Sequence, residues 1–228
     1  MGEGLRPTQM MGTGTFITFE GGEGTGKSTQ ARRLAEYLEA KGETVVLTRE
    51  PGGTASGEIV RRIVLEGGAE PLGVLAEAVL MNAARSDHLE KVIRPALNAG
   101  KTVICDRFSD STIAYQGIVG GVDLDLLKQM EAVIVGDTAP DVTFVLDAPV
   151  SQTLLRARRE TNRTSGKGAT PDRFEKQDKT IHEELRKAFL AIALQAPRRV
   201  HVIDATGTPE DVFARILQVY GKVAEKAA

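Results

Sequence analysis

The chain has 228 residues, 41% of them apolar and 26% charged, a composition that supports a substantial core and excludes disordered, collagen-like and low-complexity classes. Its 29 Lys and Arg against 31 Asp and Glu leave a formal charge of −2, too balanced for the basic footprint of a nucleic-acid or anionic-membrane binder. The one cysteine, Cys105, permits no intrachain disulfide and fits a reducing cytosol, and no apolar run approaches a membrane span, so a cytoplasmic protein is expected.

Met1–Gly14 is rich in Gly and Thr without periodicity and reads as a frayed leader, with Met10 or Met11 as alternative starts. From Thr15 onward, short β-branched or apolar runs alternate with helical patterns. Strands are expected at Thr15–Glu20, Thr44–Thr48, Thr102–Cys105, Val142–Leu146 and Val200–Ile203, each apolar enough to be covered on both faces. Helices are expected at about Ser28–Lys41, Ser56–Glu66, Leu72–Asn98, Asp110–Val135, Ser151–Glu160, Asp172–Gln195 and Pro209–Ala224, with Gly42 stopping the first. Strands separated by helices predict one α/β domain over residues 15–228. Its sheet is a doubly wound, five-stranded parallel sheet with helices on both faces. Glu160–Pro171 is polar and interrupts two helices. Between Arg156 and Lys176 there are seven basic residues against three acidic ones, which suits a short lid at about 156–173 for an anionic partner, with a merely solvated loop as the alternative.

Gly21-Gly22-Glu23-Gly24-Thr25-Gly26-Lys27-Ser28, followed by Thr29, fits the G-x-x-x-x-G-K-[ST] pattern. Successive N–H groups of such a loop make an anion-sized concavity at a helix N-terminus. Lys27 would reach the β- and γ-phosphates of a nucleoside triphosphate and Ser28 would hold Mg²⁺. An Asn-Lys-x-Asp guanine reader does not occur, and Asp106 and Asp147 are followed by Arg and Ala rather than the Glu of motor ATPases. A small-molecule kinase fits better, because a basic lid closes over the transferring phosphoryl group. Ligands of doubly wound sheets bind beyond the strand ends, which singles out Arg49-Glu50-Pro51-Gly52-Gly53-Thr54 and Asp106-Arg107-Phe108. Arg107 would clamp an acceptor phosphate, and Asp106 would bind Mg²⁺ or its water.

Taken together these segments resemble the thymidylate kinase family. The resemblance rests on Phe19–Thr29, Thr48–Thr54, Ala83-Ala84-Arg85, Asp106-Arg107-Phe108 with Ser111–Gly117, Pro140-Asp141, Leu146-Asp147 and Ile203–Thr206, in the family's order and over almost all of Thr15–Tyr220. It implies ATP- and Mg²⁺-dependent phosphorylation of dTMP to dTDP, a step toward dTTP for DNA replication. It further implies that Arg107 grips the dTMP phosphate and Arg85 the thymine carbonyl. Tyr115 would lie under the deoxyribose, and Ser111, Thr112 and Gln116 would line the same pocket with Glu50 and Pro51. Glu23 would contact the sugar or the Mg²⁺ shell, and Asp204 the loop beside adenine. A homodimer through helices of the Leu72–Asn98 and Asp110–Val135 regions is implied as well.

Two positions depart from the family pattern. Met81 stands where a Phe usually stacks on thymine, which implies dTMP binding with looser base selectivity; at helical spacing, core packing is the alternative. The variable phosphate-loop positions Gly22–Thr25 carry no basic residue, so the resemblance places the catalytic arginine in the lid. Arg159 and Arg163 lead, Arg158 and Lys167 follow, and Arg156 would pack on adenine. The competing reading is a deoxynucleoside kinase, with Glu50 as base, or another nucleoside-monophosphate kinase; a slow ATPase switch is a third. His88, His182 and His201 are too far apart in sequence to suggest a metal site.

Overall fold

A computed structural model describes residues 14–164, 173–174 and 177–227, with the side chains of 160–164 and 224–227 left aside. Five parallel strands, β1 (Phe16–Glu20), β2 (Val45–Arg49), β3 (Thr102–Asp106), β4 (Val142–Asp147) and β5 (Val200–Asp204), form one sheet in the order β2-β3-β1-β4-β5. The expected fold class holds, and β2 to β5 each run one residue further than the apolar pattern suggested. The additional residues, Arg49, Asp106, Asp147 and Asp204, are polar and stand at the carboxyl edge, where hydrogen bonding continues after apolarity ends.

The three inner strands are buried on both faces, as expected. The two outer ones are not: Leu47 on β2 and Val202 on β5 are 45% and 46% exposed. On one face, α1 (Lys27–Ala40) and α9 (Pro209–Ala227) close a core of Ile17, Phe19, Leu34, Ile104, Phe144 and Ile216. On the other, Phe16, Leu89, Ile93, Val103 and Phe108 form a second cluster, and α8 (Lys179–Gln195) packs Leu185, Ala188 and Phe189 over Val145 in a third. Helix α1 ends where Gly42 adopts a left-handed φ of 92°. There Glu43 N–H donates to the Leu38 carbonyl (3.1 Å) and Gly42 N–H to that of Glu39 (2.9 Å), the paired closure that glycine permits.

Two long helices of the sequence reading are interrupted. The first divides into α3 (Gly73–His88), a π-helical turn (Leu89–Ile93) and α4 (Arg94–Asn98), because Pro95 lacks the N–H that would continue an α-helix and its ring crowds the carbonyl four residues back. The second begins as α5 (Ser109–Thr112), widens into a π-helical turn (Ile113–Val119), stops at Gly120-Gly121 and restarts as α6 (Leu124–Ile134). The Asp123 carboxylate caps α6 by accepting from Leu126 N–H at 2.8 Å. Helix α2 (Ala55–Leu65) is capped in the same way by the Thr54 hydroxyl, which accepts from Gly57 N–H at 2.9 Å.

Of the leader reading, residues 1–13 lie outside the described residues, while Gly14 packs on the fold, so close to the Lys101 and Leu97 carbonyls that a Cβ there would lie 2.5 Å and 2.7 Å from them. Helix α7 (Val150–Thr164) continues past Glu160, and α8 starts at Lys179 rather than Asp172. The lid reading therefore falls partly on helix, while Lys167 and the rest of 165–172 lie outside the described residues. Among the described residues no helix is long and apolar enough to cross a membrane.

Candidate active site

Most of the candidate residues gather beyond the carboxyl ends of β1, β2 and β3. Glu20 ends β1, and the chain turns through Gly21–Gly26 into α1. Gly26, at φ 97°, is the residue before the helix, and Gly24, at φ 69°, lies so close to α7 that a Cβ would meet the Thr153 carbonyl oxygen at 2.0 Å. Only glycine permits that approach. Lys27 Nζ donates to the Gly22 carbonyl at 2.7 Å and Thr25 Oγ1 to the same oxygen at 3.0 Å, closing the loop on itself. Burial and then the charge of Arg107 lower the Lys27 ammonium to about 8, against Glu23 and Asp106.

Two cavities open here. The larger, about 550 Å³, is bordered by the loop from Glu23 to Gln30, by Arg49 and Asp106, and on its far rim by Arg156, Ala157, Gly207, Pro209 and Val212. Ser28 Oγ donates to Asp106 Oδ2, which places a hydroxyl and a carboxylate oxygen together on the cavity wall. Hard oxygen donors of this kind suit Mg²⁺, which takes one or two protein oxygens and completes its shell with phosphate and water. Arg156 turns away from the cavity centre to the following loop, donating to the Ala205 carbonyl at 2.8 Å and to that of Gly207 at 3.3 Å. The Asp204 carboxylate is taken by Thr206 N–H (2.9 Å) and Oγ1–H (2.7 Å) and does not border the cavity. Gly207, Pro209 and Val212 do so in its place.

The smaller chamber, about 90 Å³, lies between α2, α3, α5 and the π-helical turn of residues 113–119. All ten residues assigned above to the acceptor border it, from Glu23, Glu50 and Pro51 through Met81, Arg85 and Arg107 to Ser111, Thr112, Tyr115 and Gln116. Met81 borders the chamber and also packs against the cluster of Val64, Ala69 and Phe174. Phe174 closes the chamber and meets the Tyr115 ring edge-on, with centroids 5.2 Å apart.

Arg107 stands where the two cavities meet, at a left-handed φ of 70°. A side chain seldom adopts this backbone shape, and it persists only where neighbours fix it. Arg107 N–H donates to the Phe19 carbonyl (2.9 Å) and Phe108 N–H to Glu20 Oε1 (2.8 Å). The guanidinium spreads over the Gly21 carbonyl, Ser111 Oγ, Glu23 Oε1 and the Tyr115 hydroxyl, at 3.1, 3.1, 2.5 and 3.1 Å. Burial alone would raise the Glu23 carboxyl; Arg107 and then Lys27 outweigh it and hold it at about 2. Behind this pair, fully buried Glu20 accepts from Ser111 N–H (3.1 Å) and Oγ–H (2.6 Å). Burial and then the neighbouring Asp110 push its carboxyl up to about 7.

Arg85 and Glu50 form a second buried pair. Arg85 Nε donates to Glu50 Oε2 at 2.8 Å, and its remaining fork reaches Asn82 Oδ1, the Phe108 carbonyl and Thr112 Oγ1 at 3.2, 3.2 and 3.0 Å. The other Glu50 oxygen lies 3.0 Å from His88 Nδ1, and His88 Nε2 lies 2.7 Å from Thr48 Oγ1. A carboxylate engaged on both oxygens is poorly placed to deprotonate a hydroxyl, which weighs against the competing reading of Glu50 as a base.

The sequence reading missed Glu20, His88, Glu77 and Asn82, which hold the lining residues from behind, and Arg61, which borders both cavities and donates to the Pro51 carbonyl at 3.0 Å. His88, Glu77, Asn82 and Arg61 carried only helical spacing as a signal. Of the lid candidates, Arg158 and Arg159 are exposed on α7. Arg163 is on the same helix with its side chain outside the described part. Cys105 is buried in β3, and burial pushes its thiol up, as expected of an inert side chain.

A sequence model described as thymidylate kinase matches residues 19–216. A thymidylate kinase of Bradyrhizobium sp. (strain ORS 278) is 53% identical over 201 residues, which cover 88% of this chain and 87% of that one. The thymidylate kinase of Rhizorhabdus wittichii is 45% identical over 205 residues, covering 90% and 96%. Among solved structures, the thymidylate kinase of Ehrlichia chaffeensis superposes with a TM-score of 0.71 at 38% identity, over 91% of this chain and 98% of that one. With its phosphate loop, its two adjoining cavities and this likeness along most of its length, the chain belongs to the thymidylate kinase family.

Proposed function

We propose that the protein transfers the γ-phosphoryl group of ATP to the 5′-phosphate of dTMP, giving ADP and dTDP, with the triphosphate in the larger cavity and dTMP in the smaller. The observation that carries this reading is the position of Arg107. It borders both cavities and presents a cation where an acceptor phosphate in one would face a donor phosphate in the other. The phosphate loop and Lys27 hold the donor, Arg107 and Arg85 orient the acceptor, and Tyr115 closes the sugar face. An acceptor phosphate is already anionic at neutral pH, so the transfer needs positioning and charge neutralisation rather than a strong base. Ser28 and Asp106 would hold Mg²⁺, which would supply charge neutralisation on the donor phosphates. Arg159 and Arg163, on the helix that leads into the lid, are the candidates for neutralising the transferring group.

We propose further that a homodimer forms over α3 and the adjoining α6, supported by the exposed apolar side chains Leu72, Leu75 and Val79 at the start of and along α3 and Leu126 and Val133 on α6. An apolar surface of this kind is commonly covered by a partner.

The test is ADP release from ATP and Mg²⁺ with dTMP, dUMP, UMP, AMP, CMP, GMP and thymidine offered separately. Strong turnover with dTMP, weaker with dUMP and little with UMP is expected. Preference for AMP, CMP or GMP would overturn the assignment of the smaller chamber, and ADP release indifferent to every acceptor would overturn the kinase reading.

A further inference from the structure

Gln116 reaches the smaller chamber from the π-helical turn with its side-chain amide pinned from behind. Both Gln116 and Glu77 are 2% exposed, and Gln116 Nε2 donates to Glu77 Oε1 at 2.6 Å. The other Glu77 oxygen is engaged by Arg173 Nη1, and Arg173 Nε in turn pairs with Glu70 Oε1 at 2.7 Å. A carboxylate held by a guanidinium only accepts hydrogen bonds, so the end of the Gln116 amide that faces it has to be the NH₂. Turning the amide over would set two acceptors against each other in a site sealed from water. The carbonyl oxygen is thereby committed to the chamber side, as an acceptor.

We infer that Glu77, backed by Arg173, is a positioning residue that fixes the polarity of Gln116 and makes the chamber select a base edge with a central N–H donor over one with an acceptor there. Thymine and uracil carry N3–H between two carbonyls, whereas cytosine carries an unprotonated N3 beside an amino group. A fixed acceptor pairs with the first edge and opposes the second. This selection would operate independently of aromatic stacking, and so is not weakened by Met81. The inference rests on the proposed placement of dTMP in this chamber.

Glu77→Gln tests it, because the replacement keeps the size and a hydrogen bond to Gln116 but can donate as well as accept, freeing the amide to turn. kcat/KM and equilibrium binding are measured for dTMP, dUMP and dCMP with wild-type and variant protein, and thermal unfolding confirms the fold. The expected result is a dTMP-to-dCMP preference that falls by about tenfold or more, with dUMP following dTMP, since losing one oriented buried hydrogen bond is worth that much. A purely structural role for Glu77 would lower all three nucleotides in parallel. An unchanged preference overturns the inference. Glu77→Met, of similar length with no polar atom to desolvate, predicts the same loss of preference and serves where the Gln variant does not fold. If wild-type protein fails to use dTMP at all, the placement of dTMP falls instead.

Discussion

Arg107→Lys isolates what a fork-shaped cation does at the junction of the two cavities. The four Nη protons of Arg107 serve the Gly21 carbonyl, Ser111, Glu23 and Tyr115, which leaves the Nε–H without a hydrogen-bond partner among the described residues. On the proposed reading, an acceptor phosphate takes Nε–H and at least one Nη–H, displacing a protein partner such as Glu23. Lysine keeps the positive charge that lowers the Glu23 carboxyl, and its backbone requirement at φ 70° is the same as arginine's. Its single nitrogen cannot bridge Glu23 and Ser111 while also meeting a phosphate in two places. The loss is at least one charge-assisted hydrogen bond, worth about 1.5–3 kcal/mol, or roughly ten- to 150-fold in kcat/KM for dTMP. Because the cation no longer serves both anions, KM for dTMP should rise more than kcat falls, while KM for ATP stays within about twofold. Steady-state kinetics with each substrate varied in turn reads all three quantities. A dTMP KM and a kcat both indistinguishable from wild type would refute the argument that the fork, and not the charge alone, orients the acceptor.

Gly24→Ala should unfold the protein at a much lower temperature than Gly22→Ala. The new methyl at 24 meets the Thr153 carbonyl oxygen at 2.0 Å from a left-handed φ, whereas nothing lies within 4 Å at 22. Overpacking against backbone costs about 3 kcal/mol or more and the open site about 0.5 kcal/mol or less, so equal melting temperatures would remove the claim that Gly24 sets the contact with α7. Glu20→Gln should flatten part of the pH dependence of stability. The Glu20 carboxyl is raised to about 7 in the fold from its ordinary 4.5, so the folded state binds this proton more tightly than the unfolded chain. Its contribution is then greatest at low pH and is lost as pH rises through about 7, by up to ~1.4 kcal/mol per pH unit. Denaturant titrations from pH 5 to 7 on both proteins read the difference between the curves, which cancels the opposing effect of His182, and parallel curves would show that Glu20 is already ionised throughout.

What the sequence made legible was local in the chain. The phosphate loop, the Arg49–Thr54 turn and the Asp106-Arg107 pair are contiguous strings whose residue types suit one chemistry, and each falls at a strand end where the fold places it. Apolar periodicity ran across Pro95 and the Gly120-Gly121 pair and so hid two breaks, a π-helical turn just ahead of Pro95 and a stop at Gly120-Gly121. The supporting residues were not legible, because their partners lie far off in sequence. Glu20 acts on Ser111 across 91 positions, His88 on Glu50 across 38 and Glu77 on Gln116 across 39. Spacing reports which face a residue occupies, but which group it meets on that face is settled by the packing of β1, α3 and α5 together.

Irregular backbone carries three of the four side chains on the wall that the two cavities share. Glu23, Glu50, Arg61 and Arg107 border both, and they reach that wall from a glycine loop, a strand-end turn, a helix and a residue at positive φ. Regular strands would have pointed these side chains alternately above and below the sheet and could not have aimed them at one point beyond its edge. The strain at Arg107 is met by long-range groups, the Phe19 carbonyl for its own N–H and the Glu20 carboxylate for the next. Both lie on β1 immediately before the phosphate loop. On the proposed reading, the strand that delivers the donor-binding loop therefore also fixes the acceptor-binding arginine, so a shift of β1 would move both substrates' ligands together and preserve their alignment. In-line transfer depends on that relative placement more than on either site alone.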